Sequence, residues 1–250
     1  MLYLLDQTDP TYPFPPVAHA ETDPNGLLAV GGDLSPARLL NAYRNGIFPW
    51  YSTGQPLLWW SPDPRTVLYP EAIRISRSLQ KRLRGGEFEF SIDREFSQVI
   101  RGCAEPRRDQ PETWITPEMV AAYEELHRGG HAHSVEVWHG DALVGGLYGV
   151  AIGCAFYGES MFSRRSDASK VALVSLCRHL HAWGYRVIDC QIHSPHLVSM
   201  GAQEVARERF IEMLRRWAPL PPAAEAWHPD LRRRTPSGRQ PAAMSAPEAR

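Results

Sequence analysis

One stretch, residues 144 to 191, limits the possible folds more than any other. It opens with Val144-Gly145-Gly146-Leu147-Tyr148-Gly149-Val150 and Ala155-Phe156-Tyr157-Gly158-Glu159-Ser160-Met161-Phe162, two β-rich apolar runs broken by glycines. Glycine weakens a strand, so its repetition predicts a hairpin that a ligand or another backbone approaches closely, or one splayed by a bulge. Val171, Ala172, Leu173, Leu176, Leu180 and Trp183 then recur at three-and-four spacing, which predicts an amphipathic helix over 168–183, stopped by Gly184. The strand expected over 186–192 puts Asp189 and Gln191 on one face and Cys190 on the other, because strand side chains alternate.

The segments around this stretch suggest what docks onto it. Residues 1–62 are rich in proline and aromatics and read as a small N-terminal α/β domain, with a helix opened by Ser35-Pro36 and closed by Asn45-Gly46. From residue 63 the pattern becomes regular. A helix over 75–84, a strand over 87–92, a helix over 94–104 and a charged loop at 106–111 come first, then a helix started by Thr116-Pro117 and a strand over 133–138. A last helix spans about 205–217. Antiparallel strands followed by a strand-helix-strand crossover predict an α+β fold, with a mixed, mainly antiparallel sheet and helices on both faces, over residues 63–228. Residues 229–250 are Arg, Pro, Ala and Ser without apolar periodicity, and disorder is expected there.

With 250 residues, 43% of them hydrophobic, the chain can build a real core. Its formal charge of -1 excludes gross attraction to polyanions, so a nucleic-acid partner would have to meet a local patch. One such patch is visible. At about 100° per residue Arg74, Arg77, Lys81 and Arg84 fall in one arc of the 75–84 helix, opposite Ile75, Leu79 and Leu83. That stripe could follow a phosphate backbone, or it could be an ordinary solvated face. The start Met1-Leu2-Tyr3-Leu4-Leu5-Asp6 has no basic leader and no stretch is apolar enough to cross a bilayer, so a cytoplasmic protein is expected. Cys103, Cys154, Cys177 and Cys190 form no close pair and read as small buried hydrophobes.

Several strings, in this order, closely resemble the leucyl/phenylalanyl-tRNA-protein transferase family. They are Pro24-Asn25-Gly26-Leu27-Leu28-Ala29, the run Gly31 to Leu40, Gly46-Ile47-Phe48-Pro49-Trp50, Trp59-Trp60-Ser61-Pro62-Asp63-Pro64-Arg65, Thr113-Trp114-Ile115-Thr116, Gly130-His131-Ala132-His133-Ser134, Gly158-Glu159-Ser160-Met161-Phe162-Ser163 and Asp189-Cys190-Gln191. The resemblance spans about residues 14 to 217. It implies a small N-terminal domain beside an acetyltransferase-like (GNAT) domain. It also implies an enzyme that takes leucine, phenylalanine or, less readily, methionine from aminoacyl-tRNA and joins it to a protein's N-terminal Arg or Lys, marking that protein for degradation. No cofactor, metal or membrane is expected, and a monomer is.

By the same resemblance Asp189 and Gln191 are the catalytic pair, and Trp50 and Trp114 contact the adenosine at the tRNA 3′ end, with Tyr43 and Tyr123 as nearby candidates. Trp59 and Trp60 read as core. The positions matching the family's amino-acid pocket are Leu147, Phe156, Leu173, Leu176 and Ile188; at Leu147 and Leu176 the best-known pattern of the family has Met and Phe. The reaction implied is aminolysis of an activated ester, which needs positioning more than acid-base power, because an α-amine has a pKa of about 7.7–8.0. A glutamine amide is a very weak base, so Gln191 is expected to orient the amine or the tetrahedral intermediate, with Asp189 fixing its amide and attracting the cation. Glu159 is the carboxylate expected to meet the acceptor's N-terminus.

Three other readings compete. A CoA-dependent N-acetyltransferase of the same fold would cradle pyrophosphate on a Gly-rich turn, yet residues 163–169 contain no glycine. A non-catalytic RNA-binding module would leave the Asp189–Gln191 face unexplained. A metal site of Cys190, His193 and His196 is interrupted by Pro195. Cys190 as a nucleophile would point away from Asp189 and Gln191.

Overall fold

The computed structural model describes residues 2–106, 113–228 and 235–236. In the first sixty residues strands β1 (Tyr3–Leu5), β2 (Leu27–Gly31), β3 (Phe48–Pro49) and β4 (Leu58–Trp60) form a sheet of order β1-β2-β4-β3, with helix α1 (Pro36–Arg44) between β2 and β3. Ser35 caps α1 by accepting the Arg38 N–H, and Pro36 fills the first turn, where a missing N–H costs nothing. The Pro-rich segment before β2 is tied down by Arg38, whose buried guanidinium donates to the carbonyls of Asp6, Asp9 and Tyr12 and pairs with Asp33.

The second sheet holds β5 (Arg65–Leu68), β6 (Glu89–Ile92), β7 (Ala132–His139), β8 (Ala142–Ile152), β9 (Ala155–Ser163), β10 (Val187–Gln191), β11 (Gln203–Val205) and β12 (Thr235–Pro236). Its order is β11-β5-β10-β9-β8-β7-β6-β12, and only β9 and β10 run parallel. Helices α2 (Arg77–Arg84) and α5 (Ala168–Ala182) pack on one face. On the other lie α3 (Phe96–Ala104), α4 (Pro117–Arg128) and α7 (Arg207–Trp217), together with α1 and the first sheet in one continuous apolar core. The short α6 (Pro195–Ser199) follows β10.

The expected elements are present within a few residues, and others appear, among them β5, α6 and β11. Strand β5 was hidden in the sequence by its short length, its flanking proline and a charged first residue, Arg65. Helix α6 and β11 are too short to show a period. Thr235–Pro236 pair with β6; the remainder of the tail expected to be disordered, and residues 107–112 of the charged loop and just beyond it, lie outside the described residues. No described helix is long and apolar enough to cross a membrane.

The glycines of the β8–β9 hairpin do something other than leave space for a ligand. A Cβ on Gly145 would lie 2.6 Å from Ala168 Cβ, and one on Gly149 2.2 Å from the Tyr157 carbonyl. Those gaps are filled by the protein, and a register shift falls at Tyr148/Gly149. Gly158 differs: a Cβ there would meet only ordinary contacts, 3.6 Å from the Asp189 carbonyl oxygen and 3.7 Å from Ile188.

Candidate active site

Strands β9 and β10 are in register at Val187–Ala155, Ile188–Phe156 and Asp189–Tyr157, and beyond that point they part. The parting follows from backbone geometry. Gln191 has φ +64, and the β10–β5 register shifts between Asp189 and Gln191, so β10 stops while β9 continues to Ser163 along β8. A cavity of about 880 Å³ occupies the fork. Gly158, Glu159 and Gln191 lie in its wall, as do Leu147, Leu173, Leu176 and Ile188 and the indoles of Trp50 and Trp114. Both tryptophans are half-buried, and Trp60 supports Trp50 by donating its Nε1–H to the Trp50 carbonyl at 2.7 Å.

Asp189 and Gln191 both face away from α5, whereas Ile188 and Cys190 face it. Their side chains nevertheless do different things. The Asp189 carboxylate is 1% exposed and lies behind the cavity wall. It accepts two hydrogen bonds from Arg65, at 2.8 Å from Nε and 2.6 Å from Nη2, and a third from the Gln191 backbone N–H at 2.9 Å. Arg65 in turn donates to the Gly46 carbonyl, and its guanidinium sits between the rings of Phe48 and Phe210, 4.8 Å from each centroid. The expectation that Asp189 fixes the Gln191 amide is therefore corrected: it fixes the backbone of Gln191, and it is already neutralised by an internal cation.

Glu159 fixes the amide. Its Oε1 accepts from Gln191 Nε2 at 2.9 Å and its Oε2 from the Tyr123 hydroxyl at 3.0 Å. The Tyr43 and Tyr123 hydroxyls are hydrogen-bonded to each other, and Tyr157 donates to the Tyr43 carbonyl at 2.8 Å. Burial pushes the Glu159 carboxyl up to about 7; bonds from the tyrosines and Gln191 oppose this, and the charge of Asp189 reinforces it. Burial also holds the Tyr43 and Tyr123 hydroxyls well above their ordinary range. Both tyrosines are fully buried, so neither offers a face to a base, and their expected role against adenosine is withdrawn.

Phe156 is the other correction. It lies outside the cavity wall and under Trp227, ring centroids 5.7 Å apart, in the core between sheet and α5. The sequence reading missed Arg65 and the polar atoms left open at the cavity: His196 Nε2 and the Tyr148 hydroxyl belong to residues that line it and have no hydrogen-bond partner among the described residues. The doublet Pro64-Arg65 was quoted only as part of a motif, although a buried Asp189 calls for a cation.

Arg77, Lys81 and Arg84 are exposed on α2 with Leu79 and Leu83 buried opposite; Arg74 is exposed too, but the helix starts only at Arg77, so Arg74 precedes it instead of sharing its arc. Among the described residues no ion pair engages these four, whereas Arg82 pairs with Glu87 and Asp167. The competing sites fare differently. At the start of α5 the Ala168 N–H binds the Arg165 carbonyl and the Ser169 N–H binds Ser163 Oγ, so that turn is closed on itself rather than open to a pyrophosphate. His193 pairs with Glu204 at 3.3 Å, and burial pushes the Cys190 thiol far up, which disfavours the nucleophilic thiolate.

Much of the chain is similar to one family. The family described as Leucyl/phenylalanyl-tRNA protein transferase matches residues 67–215, and the description of its N-terminal domain matches residues 32–63. A leucyl/phenylalanyl-tRNA--protein transferase of Alkalilimnicola ehrlichii is 57% identical over 230 residues, 92% of this chain and 89% of that protein. One of an Azoarcus species is 60% identical over 214 residues, 86% of this chain and 91% of that protein. Among solved structures, a GCN5-related N-acetyltransferase from Kribbella flavida aligns at TM-score 0.36 and 10% identity, covering 68% of this chain and 61% of its own.

Proposed function

The chain belongs to the leucyl/phenylalanyl-tRNA protein transferase family, and from that premise we propose that the fork between β9 and β10 holds the aminoacyl end of a charged tRNA against the amine of an acceptor protein. The protein is an aminoacyltransferase. On our reading it moves leucine, phenylalanine or methionine to an N-terminal Arg or Lys, as a monomer in the cytoplasm, and so marks the acceptor for degradation. Residues 1–62 form the smaller unit and 63–228 the catalytic one.

A single observation carries this reading: one cavity wall combines two half-buried indoles, four apolar side chains and a hydrogen-bonded carboxylate–amide pair. Trp50 and Trp114 offer flat faces to the terminal adenine, where stacking contributes about 1–3 kcal/mol per base. Leu147, Leu173, Leu176 and Ile188 enclose the Leu or Phe side chain. With its Nε2–H held by Glu159, Gln191 is left with its carbonyl oxygen free to accept from the attacking amine, and it orients that amine toward the ester carbonyl. Glu159 supplies the negative charge the amine meets. Asp189 and Arg65 are positioning residues, since they set the backbone from which Gln191 projects. Arg74, Arg77, Lys81 and Arg84 follow the tRNA backbone.

Incubation with leucyl-tRNA and a peptide beginning with Arg tests the proposal. A mass gain of one leucine at the peptide N-terminus is expected with charged tRNA, and none with free leucine plus uncharged tRNA. No gain in either case would refute it.

A further inference from the structure

The amine that arrives at the cavity carries a proton it must lose, because at pH 7 most α-amino groups are ammonium. Gln191 cannot take that proton, since a protonated amide is far too acidic. Asp189 cannot take it either: its oxygens face Arg65 and the Gln191 N–H behind the wall. One group in the wall fits. Glu159 is 8% exposed, and among the described residues it forms no ion pair. Its Oε1 accepts from Gln191 Nε2 and its Oε2 from Tyr123, with Tyr43 bonding beside Tyr123, so the carboxylate is not saturated and keeps a lone pair free on Oε1.

We infer that Glu159 is the proton acceptor of the transfer reaction, a catalytic role that rests on the aminoacyl-transfer reading above. The ammonium enters as a cation drawn to the buried carboxylate. An N–H bond breaks and an O–H bond forms on Glu159, leaving the neutral amine hydrogen-bonded to the Gln191 carbonyl oxygen. Its lone pair attacks the ester carbonyl carbon, the new C–N bond forms, and the C–O bond to the ribose 3′-oxygen breaks. A second proton leaves the nitrogen and ends on that 3′-oxygen, and Glu159 returns its own proton to solvent before the next cycle.

The surroundings suit the task. The titratable groups facing Glu159 are Tyr43 from α1, Tyr123 from α4, Tyr148 from β8 and Asp189 from β10, the last already paired with Arg65. The three phenols stay protonated, so none competes for the proton. A carboxyl poised near the working pH accepts a proton readily and gives it up again.

Single-turnover leucyl transfer at saturating leucyl-tRNA and saturating Arg-starting peptide, followed from pH 6.5 to 8.5, tests the role. Wild-type protein carries its own base, so its rate should rise about fourfold across this range and level off above pH 7. Glu159→Gln must wait for amine already neutral in solution, and its rate should rise about twenty-five-fold, so the wild-type advantage shrinks about sixfold. Tyr123→Phe, which removes one donor from the carboxylate and keeps the ring, should move the wild-type acid limb to higher pH. A ratio of wild type to Glu159→Gln that is the same at every pH, or an acid limb unmoved in Tyr123→Phe, would overturn the inference while leaving leucyl transfer itself established. Absence of transfer by the wild-type protein would instead overturn the reading on which it rests.

Discussion

Arg65 and Asp189, 124 positions apart, meet in a fully buried two-pronged ion pair at 2.8 and 2.6 Å. Removing one partner strands a charge in the core, which costs about 3–5 kcal/mol. Asp189→Ala is therefore expected to lose about that much stability in urea denaturation, and adding Arg65→Met should recover a large part of it. In Asp189→Asn the single-turnover rate should fall while affinity for charged tRNA holds, because Asp189 touches Gln191 and lies outside the cavity wall.

The two indoles can be separated from the buried aromatics. Trp50→Ala or Trp114→Ala should weaken charged-tRNA binding by about 1–3 kcal/mol, roughly five- to 150-fold in Kd. Tyr43→Phe should leave that Kd unchanged, since its ring is enclosed by protein. A filter-binding series decides between these assignments.

Leu176 borders the slot assigned to the transferred side chain. Leu176→Ala removes three carbons from the wall and should raise phenylalanyl over leucyl transfer by about tenfold, within the range a few methylenes provide. Competition between the two charged tRNAs in one reaction measures the ratio. A ratio that stays fixed would place the side chain elsewhere.

For the exposed stripe on α2, Arg77→Ala, Lys81→Ala and Arg84→Ala should each weaken tRNA binding and flatten the plot of log K against log salt. Each lost phosphate contact lowers its slope by about one. An unchanged slope would return these residues to an ordinary solvated face.

How much of this was legible in the sequence varies with the range of the interaction. Helix starts at Ser35 and Thr116 were readable because a cap acts within three residues, and each hydroxyl does accept the expected N–H. Strand alternation correctly separated Asp189 and Gln191 from Cys190. The partners of those side chains were beyond reach. Arg65 lies on a strand too short to show a period, and nothing local says that Tyr123 and Gln191 converge on Glu159 from 36 and 32 residues away. The hairpin glycines were legible in part: a close backbone, at the Tyr157 carbonyl, and a register shift at Tyr148/Gly149 were among the expected alternatives, whereas Gly145 and Gly149 leave no space for a ligand. Their flatness was visible, but Ala168 and Phe156, which fill the space, come from register and packing that only the fold fixes.

Glu159 also makes a prediction about stability. Its carboxyl titrates at about 7 in the folded protein against an ordinary value of 4.5. A carboxyl raised on folding favours the folded state while both forms are protonated, below pH 4.5. That contribution is lost as pH climbs through 7, because the folded state must then bury a charge the unfolded state leaves in water. Between pH 5 and pH 8 the loss is about 2–3 kcal/mol. Glu159→Gln cannot ionise and escapes it. Whatever constant packing cost the substitution carries, its stability relative to wild type should therefore improve by about 2–3 kcal/mol from pH 5 to pH 8 in parallel urea titrations. Glu136, also raised by burial, is present in both proteins and cancels from the comparison. A difference that does not change with pH would mean that Glu159 is ionised throughout, and its carboxylate would then need a cation that none of the described residues supplies.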